Sequence, residues 1–139
     1  LPGGGTTDYA VEIYYEAIKN KSYVCYLKPG TFLDMMYMPD ALRALVDLME
    51  ADPSRLKHRN CFNVTAMSFD PEMIAAEIKK HIPEFHMEYQ IDSVKQAIAD
   101  SWPNKMDDSA AREEWGWKPE YDLASMTEDM LRVLSTKLS

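Results

Sequence analysis

The apolar positions of the chain follow two periods, and the switches between them divide it into helices and strands. In residues 9–20, Ala10, Ile13, Tyr14, Ala17 and Ile18 recur at spacings of three and four, which predicts a helix with one buried stripe. Residues 22–27 and 31–37 are rich in β-branched and aromatic side chains and read as two strands. Pro29-Gly30 lies between them and predicts a hairpin. Pro39 then suits the first turn of a helix whose stripe is Ala41, Leu42, Leu45, Leu48 and Met49, ending near Asp52-Pro53. Residues 54–60 form a basic, solvated connector, and 61–65 a short strand. Asp70-Pro71-Glu72 opens the next helix with a cap, a first-turn proline and a dipole-matched acid; its inner face is Met73, Ile74, Ala76 and Ile78. Residues 85–91 alternate as a half-buried strand, and Asp92 or Ser93 caps a helix reaching about Asp100.

Residues 101–123 hold all three tryptophans and their own punctuation. Asp107 or Ser109 can cap a short helix, Gly116 permits a left-handed stop, and Pro119 prevents a restart. Trp115 and Trp117 are expected in the core. Trp102 stands outside both apolar stripes, in a segment with turn chemistry, and reads as a pocket lid, with a peripheral core contact as the alternative. A final helix over about 123–138 buries Met126, Met130, Leu131 and Leu134.

The chain has 139 residues, 46% of them apolar, within the usual range for one domain with a real core. Its net charge of −8 argues against a nucleic-acid partner or an anionic membrane surface, since both need a basic patch. Apolar runs fall well short of about 18 residues, so no membrane span is expected, and no signal-peptide pattern appears. These features fit a soluble, non-secreted protein. The two cysteines, Cys25 and Cys61, have no CxxC spacing and suit buried thiols in a reducing compartment. His58, His81 and His86 have no ligand spacing, so no metal is expected. The acidic pairs Asp107/Asp108 and Glu113/Glu114 read as solvated helix ends. Pro2-Gly3-Gly4-Gly5-Thr6-Thr7 permits close backbone approach to a ligand ahead of the first helix, where Thr6, Thr7 and Asp8 can cap. It lacks both the Lys-Ser/Thr ending of a P-loop and the full dinucleotide fingerprint.

Asp108, Ser109, Ala111, Arg112, Gly116, Trp117 and Pro119 together resemble the C-terminal signature of the extended short-chain dehydrogenase/reductases. Trp115, where that family usually has Leu, and Ser101-Trp102-Pro103 make the likeness closest to the short-chain type of L-threonine 3-dehydrogenases. The glycine-rich loop is similar to the loop that lines the amino-acid pocket in those enzymes, which would place Gly5, Thr6 and Thr7 against substrate. Leu33 stands where the related nucleotide-sugar enzymes often have a phosphate-holding Arg before Asp34, and Trp102 where the sugar epimerases tend to have another.

The resemblance implies an α/β chain, the C-terminal substrate-side part of an extended short-chain (Rossmann-type) fold, with about six helices and four or five short strands. It covers nearly all of residues 1–139 as a single lobe of a longer, homodimeric enzyme. NAD would be bound mainly by an N-terminal part that this chain lacks, and the catalytic Tyr-x-x-x-Lys pair would lie there too. Tyr15 and Lys19 have that spacing but follow the glycine-rich loop, so the chain order is wrong and no catalytic residue is expected here. The implied reaction is oxidation of L-threonine to 2-amino-3-oxobutanoate. The substrate site would comprise Gly5, Thr6, Thr7 and Trp102, and the compartment would be bacterial cytoplasm or mitochondrial matrix. A C-terminal lobe of a nucleotide-sugar epimerase or dehydratase, and a short non-catalytic binding protein, are the alternatives.

Overall fold

In the computed structural model, residues 4–59 and 61–139 are described. Pro2 and Gly3 of the glycine-rich loop, and Asn60 at the end of the basic connector, lie outside them. The described residues form six α-helices and four short strands, an α/β arrangement as expected. In order they are α1 (Tyr9–Asn20), β1 (Ser22–Cys25), β2 (Leu33–Met35), α2 (Met38–Glu50), β3 (Met67–Phe69), α3 (Pro71–His81), β4 (His86–Tyr89), α4 (Ser93–Asp100), α5 (Ser109–Trp115) and α6 (Leu123–Leu138). A single 3-10 turn, Pro53–Arg55, interrupts the basic connector.

The main core lies where α1 meets α3 and α6. Tyr9, Ile13, Tyr14 and Ala17 of α1 pack with Ile74 and Ile78 of α3 and with Met126, Leu131 and Leu134 of α6. Burying so many large side chains is the main source of stability, at about 1.5–3 kcal/mol each. The inner face of α3 is offset from the expected one: Ala75 is buried, whereas Met73 and Ala76 are exposed. Tyr14 Oη and Thr127 Oγ1 share a buried 2.8 Å hydrogen bond, which satisfies both hydroxyls inside the apolar contact.

The hairpin expected across Pro29-Gly30 does not form. β1 pairs with β4 in parallel, Ser22 against His86 and Cys25 against Tyr89, while β2 pairs antiparallel with β3, Leu33 against Phe69. One carboxylate redirects the chain. Asp70 caps α3 by accepting from the Met73 N–H at 3.0 Å, and its other oxygen accepts from the Gly30 N–H at 2.8 Å. That fixes the 28–31 turn, in which Gly30 takes φ 79°, to the start of α3 instead of folding β2 back onto β1. Residues 61–65, expected as a strand, show no ladder pairing among the described residues, and Thr65 gives its carbonyl to Trp117 Nε1 at 3.0 Å. Cys25 is buried as expected, but Cys61 is exposed.

A second cluster joins Ala44, Ala111, Trp115 and Trp117, with Leu48, Leu56, Phe62 and Val64 packed on it. Both tryptophans are core, as expected. Gly116 at φ 74° ends α5 in the left-handed conformation, and the Trp117 N–H returns to the Ala111 carbonyl. Helix α2 meets this cluster with a face rotated from the expected one, so that of the expected stripe Leu48 still packs on it. Asp40 and Ala44 point inward, while Leu42 and Leu45 of the apolar stripe are exposed. A polar anchor decides this orientation. The Asp40 carboxylate accepts from the Glu120 and Tyr121 N–H groups at 3.0 Å and from Arg43 at 3.0 Å. Arg43 in turn donates to the Lys118 carbonyl at 2.6 Å and stacks on Trp117 at 5.3 Å.

Burial alone would raise the Asp40 pKa, but the two backbone N–H groups and Arg43 outweigh it and hold it below its ordinary value. A carboxyl whose pKa is lower folded than unfolded contributes stability above the ordinary Asp range, and this is lost as pH falls through the folded value. Asp40→Ala is expected to cost about 3 kcal/mol in urea unfolding at neutral pH, because it strands two backbone donors and Arg43. The cost should shrink below about pH 4, where the parent loses the same interaction.

Candidate functional site

The Gly5–Asp8 turn closes on itself. The Gly5 N–H donates to the Asp8 carboxylate at 2.8 Å, and the Asp8 N–H donates to the Gly5 carbonyl at 3.3 Å. Asp8 precedes α1 without the side-chain cap that its position suggested. The Gly5 N–H, one of the donors that an anion could use at this turn, thus already faces a carboxylate. Thr6 is buried and Thr7 half-buried, and among the described residues no hydrogen bond of their hydroxyls is seen, so the turn offers two hydroxyls beside the Asp8 carboxylate.

Tyr26 carries the turn to the next element. Its hydroxyl donates to the Gly5 carbonyl at 2.9 Å, and the Lys95 ammonium of α4 sits 3.9 Å over its ring. Asp92 caps α4 by accepting from the Val94 and Lys95 N–H groups, which sets the helix register and so the place of Lys95 and Gln96. Gln96 is buried. It accepts from the Lys28 N–H at 2.8 Å and donates to Thr31 Oγ1 and Asp100. Lys28, Gly30, Thr31, Gln96, Asp100 and Asn104 border a polar cleft of about 400 Å³. Trp102 lies between Asp100 and Asn104 in sequence, 45% exposed, with its backbone N–H donating to the Ala99 carbonyl. Among the described residues no hydrogen bond or ring contact joins Trp102 to Gly5, Thr6 or Thr7. Gln96 carries no sequence signal of this role, because the turn that it serves lies 68 positions away and meets it only in the fold.

Two acids read as solvated are buried: Asp108, paired with Arg112 at 2.8 Å, and Glu114. Glu114 accepts from the Lys57 N–H at 2.7 Å, the His58 N–H at 3.0 Å and His58 Nδ1 at 2.5 Å. Burial would push its carboxyl up, but these donors from His58 and Lys57 hold it below the usual range. It ties the basic connector to α5.

None of the displaced tyrosines suits general-base work. Burial pushes Tyr9, Tyr14, Tyr23, Tyr26 and Tyr89 upward, and Tyr37 up to about 12. A base working near neutrality needs the opposite shift. Tyr15 and Lys19 meet only as a helix-surface contact, the ammonium 5.9 Å from the ring centre. Among the described residues no helix is long and apolar enough to cross a membrane.

Comparison with known proteins gives the class first. No family model matches the chain. An epimerase/dehydratase-like protein of Staphylococcus haemolyticus, itself uncharacterised, is 57% identical over 98% of this chain. The chain spans 43% of the length of that curated relative. The solved structures that it resembles are more particular. An L-threonine dehydrogenase from Clostridium difficile matches 99% of this chain at 63% identity and TM-score 0.96, over 43% of its own length. One from Phytophthora infestans matches 99% at 51% identity and TM-score 0.95, over 44% of its length. The chain fits a C-terminal portion of that enzyme, as the resemblance implied.

Glu114→Ala is expected to release the connector while leaving the main core intact. Amide exchange at Lys57 and His58 should rise at least about tenfold, with α1, α3 and α6 unchanged. Unchanged exchange at both amides would count against the tether.

Proposed function

We propose that this chain is the substrate-side part of an NAD-dependent L-threonine 3-dehydrogenase that oxidises L-threonine to 2-amino-3-oxobutanoate. The end-to-end match at 63% identity to a chain described as an L-threonine dehydrogenase carries the reading. NAD would accept the hydride on the N-terminal part, which would also hold the catalytic tyrosine and lysine and the homodimer contact. The work of this chain is positioning. The Thr6 and Thr7 hydroxyls are polar partners for a small zwitterion, and Trp102 closes over it to exclude water and fix its reacting C–H. The Asp8 carboxylate beside the Gly5 N–H makes the turn a poor place for a phosphate, in keeping with cofactor binding elsewhere.

A second reading, a nucleotide-sugar epimerase or dehydratase, has support in the name of the Staphylococcus relative. Leu33 weighs against it, since it is 1% exposed inside the β2–β3 pair and puts an apolar side chain where a sugar-nucleotide enzyme would hold phosphate.

A chimera in which this chain replaces the matching portion of the Clostridium enzyme tests the assignment. It should reduce NAD with L-threonine and leave nucleotide sugars untouched, while the 139-residue chain alone shows no saturable NAD binding in calorimetry. Turnover of a nucleotide sugar without turnover of threonine would replace the first reading by the second.

Within the same chimera, Trp102→Ala should lower kcat/KM for threonine at least about tenfold, roughly 1.4 kcal/mol of transition-state stabilisation, with NAD affinity and Tm near the parent. Early unfolding with unchanged kinetics per folded molecule would make Trp102 structural.

A further inference from the structure

The loop that follows Trp102 is clamped across the β2–β3 pair. Asp34 and Ser68 stand opposite each other in that ladder; the Asp34 carboxylate accepts from the Met106 N–H, and the Ser68 hydroxyl donates to the Asn104 carbonyl at 3.0 Å. Lys105, between the two anchored residues, is thereby held at a cleft of about 380 Å³ that Asp108 and Arg112 also line, a volume within the range of small-ligand sites. The cleft shares no lining residue with the one at Gln96. Charges of both signs are left unmet around it. Asp108 is 9% exposed; one of its oxygens accepts from Arg112 Nε at 2.8 Å, and the other is buried with no hydrogen-bond partner among the described residues. A buried charged acceptor left in that state is costly and rare, and it calls for a donor. Conversely, the Lys105 ammonium and the two terminal nitrogens of Arg112 have no acceptor among the described residues.

We infer that this cleft binds a small zwitterion, an α-amino acid, whose carboxylate meets Lys105 and the Arg112 fork and whose ammonium donates to Asp108. The charges decide against simpler ligands. A metal ion would sit against an ammonium and a guanidinium, and an inorganic anion against the Asp34 and Asp108 carboxylates, so each would meet repulsion along with its attraction. A ligand carrying both signs satisfies both sets at once, through charge-assisted hydrogen bonds, which are the strong ones. Ala66 and Met67 supply the apolar part of the lining, which suits a short aliphatic side chain. Gly5, Thr6, Thr7 and Trp102 do not line the cleft, so the site stands apart from the reaction proposed above.

L-Alanine titrated into the isotope-labelled chain, read by amide chemical shifts, tests the site. The amides of Ser68, Lys105, Met106 and Arg112 should shift saturably with a Kd of about 1 mM or tighter. Acetate and methylammonium, which each carry one of the two charges, should bind at least about tenfold more weakly. Lys105→Ala should weaken L-alanine at least about fivefold while leaving Tm within about 2 °C of the parent, since the exposed ammonium holds nothing else in the fold. Asp108→Asn should remove most of the affinity; if that variant unfolds, Lys105→Ala and the two single-charge ligands decide without it. Should the chain not fold by itself, the same amides are read in the chimera. Absence of a saturable shift up to about 50 mM L-alanine overturns the site. So does acetate or methylammonium binding as tightly as L-alanine, which would make this a site for one charge. Unchanged affinity in Lys105→Ala overturns it too, and shifts confined to Thr6, Thr7 and Gln96 would put the amino acid in the other cleft instead.

Discussion

The Asp40 carboxylate is the constraint on which the second half of the molecule depends. It gathers two N–H groups from residues 120 and 121 and a guanidinium from its own helix, so α2 is held against the link between α5 and α6. Trp117 is placed by the same contact, because Arg43 stacks on it while donating to the Lys118 carbonyl. Trp117 then takes the Thr65 carbonyl, which positions the run into β3. One acid therefore sets the orientation of a helix, a tryptophan and a strand. An apolar contact is non-directional and would have left α2 free to roll about its axis; hydrogen bonds of fixed geometry do not.

The acidic composition takes on a different meaning in that light. A net charge of −8 argues against a polyanionic partner, yet many of the carboxylates serve this chain's own backbone. Asp8 closes the Gly5 turn, Asp70 joins the 28–31 turn to α3, Asp92 starts α4, and Asp122 starts α6 in a reciprocal box with Ser125. Loops that carry function need such local fixing, because their few apolar contacts cannot order them. The 28–31 turn is joined to α4 by the Gln96 amide, and Gly5 only through Tyr26, whose ring lies under Lys95, so the candidate pocket rests largely on polar contacts.

Helices were legible in the sequence because their signals are local. Pro71 after Asp70, Gly116 after Trp115, and the stripes of α1 and α6 all act within a few residues. Strand partners were not legible, since the bonds that fix the turn between β1 and β2 come from Asp70 and Gln96, forty and more positions away. Glu114 misled for a related reason: its donors lie on a connector far away in sequence, so on a helical wheel it reads as solvated. The face of α2 misled because periodicity reports which residues are apolar and not what they meet. Of the candidate site, the turn at residues 5–8 and the exposed Trp102 were readable from glycine and turn chemistry, whereas Gln96 was not.

The tyrosines bear on how the chemistry would be divided along a longer chain. A tyrosine that works as a base at neutral pH needs a cation beside a hydroxyl that water or substrate can reach. Here the phenols serve the core and its edges: Tyr14 bonds Thr127, Tyr23 donates to Glu12, and Tyr37 donates to Asp129. Burial together with a carboxylate acceptor stabilises the protonated form, which is why Tyr23 and Tyr37 move upward. The environment that makes a tyrosine a good structural donor thus disqualifies it as a base. A tyrosine serving as a base would need the reverse setting, with a lysine rather than a carboxylate facing its ring.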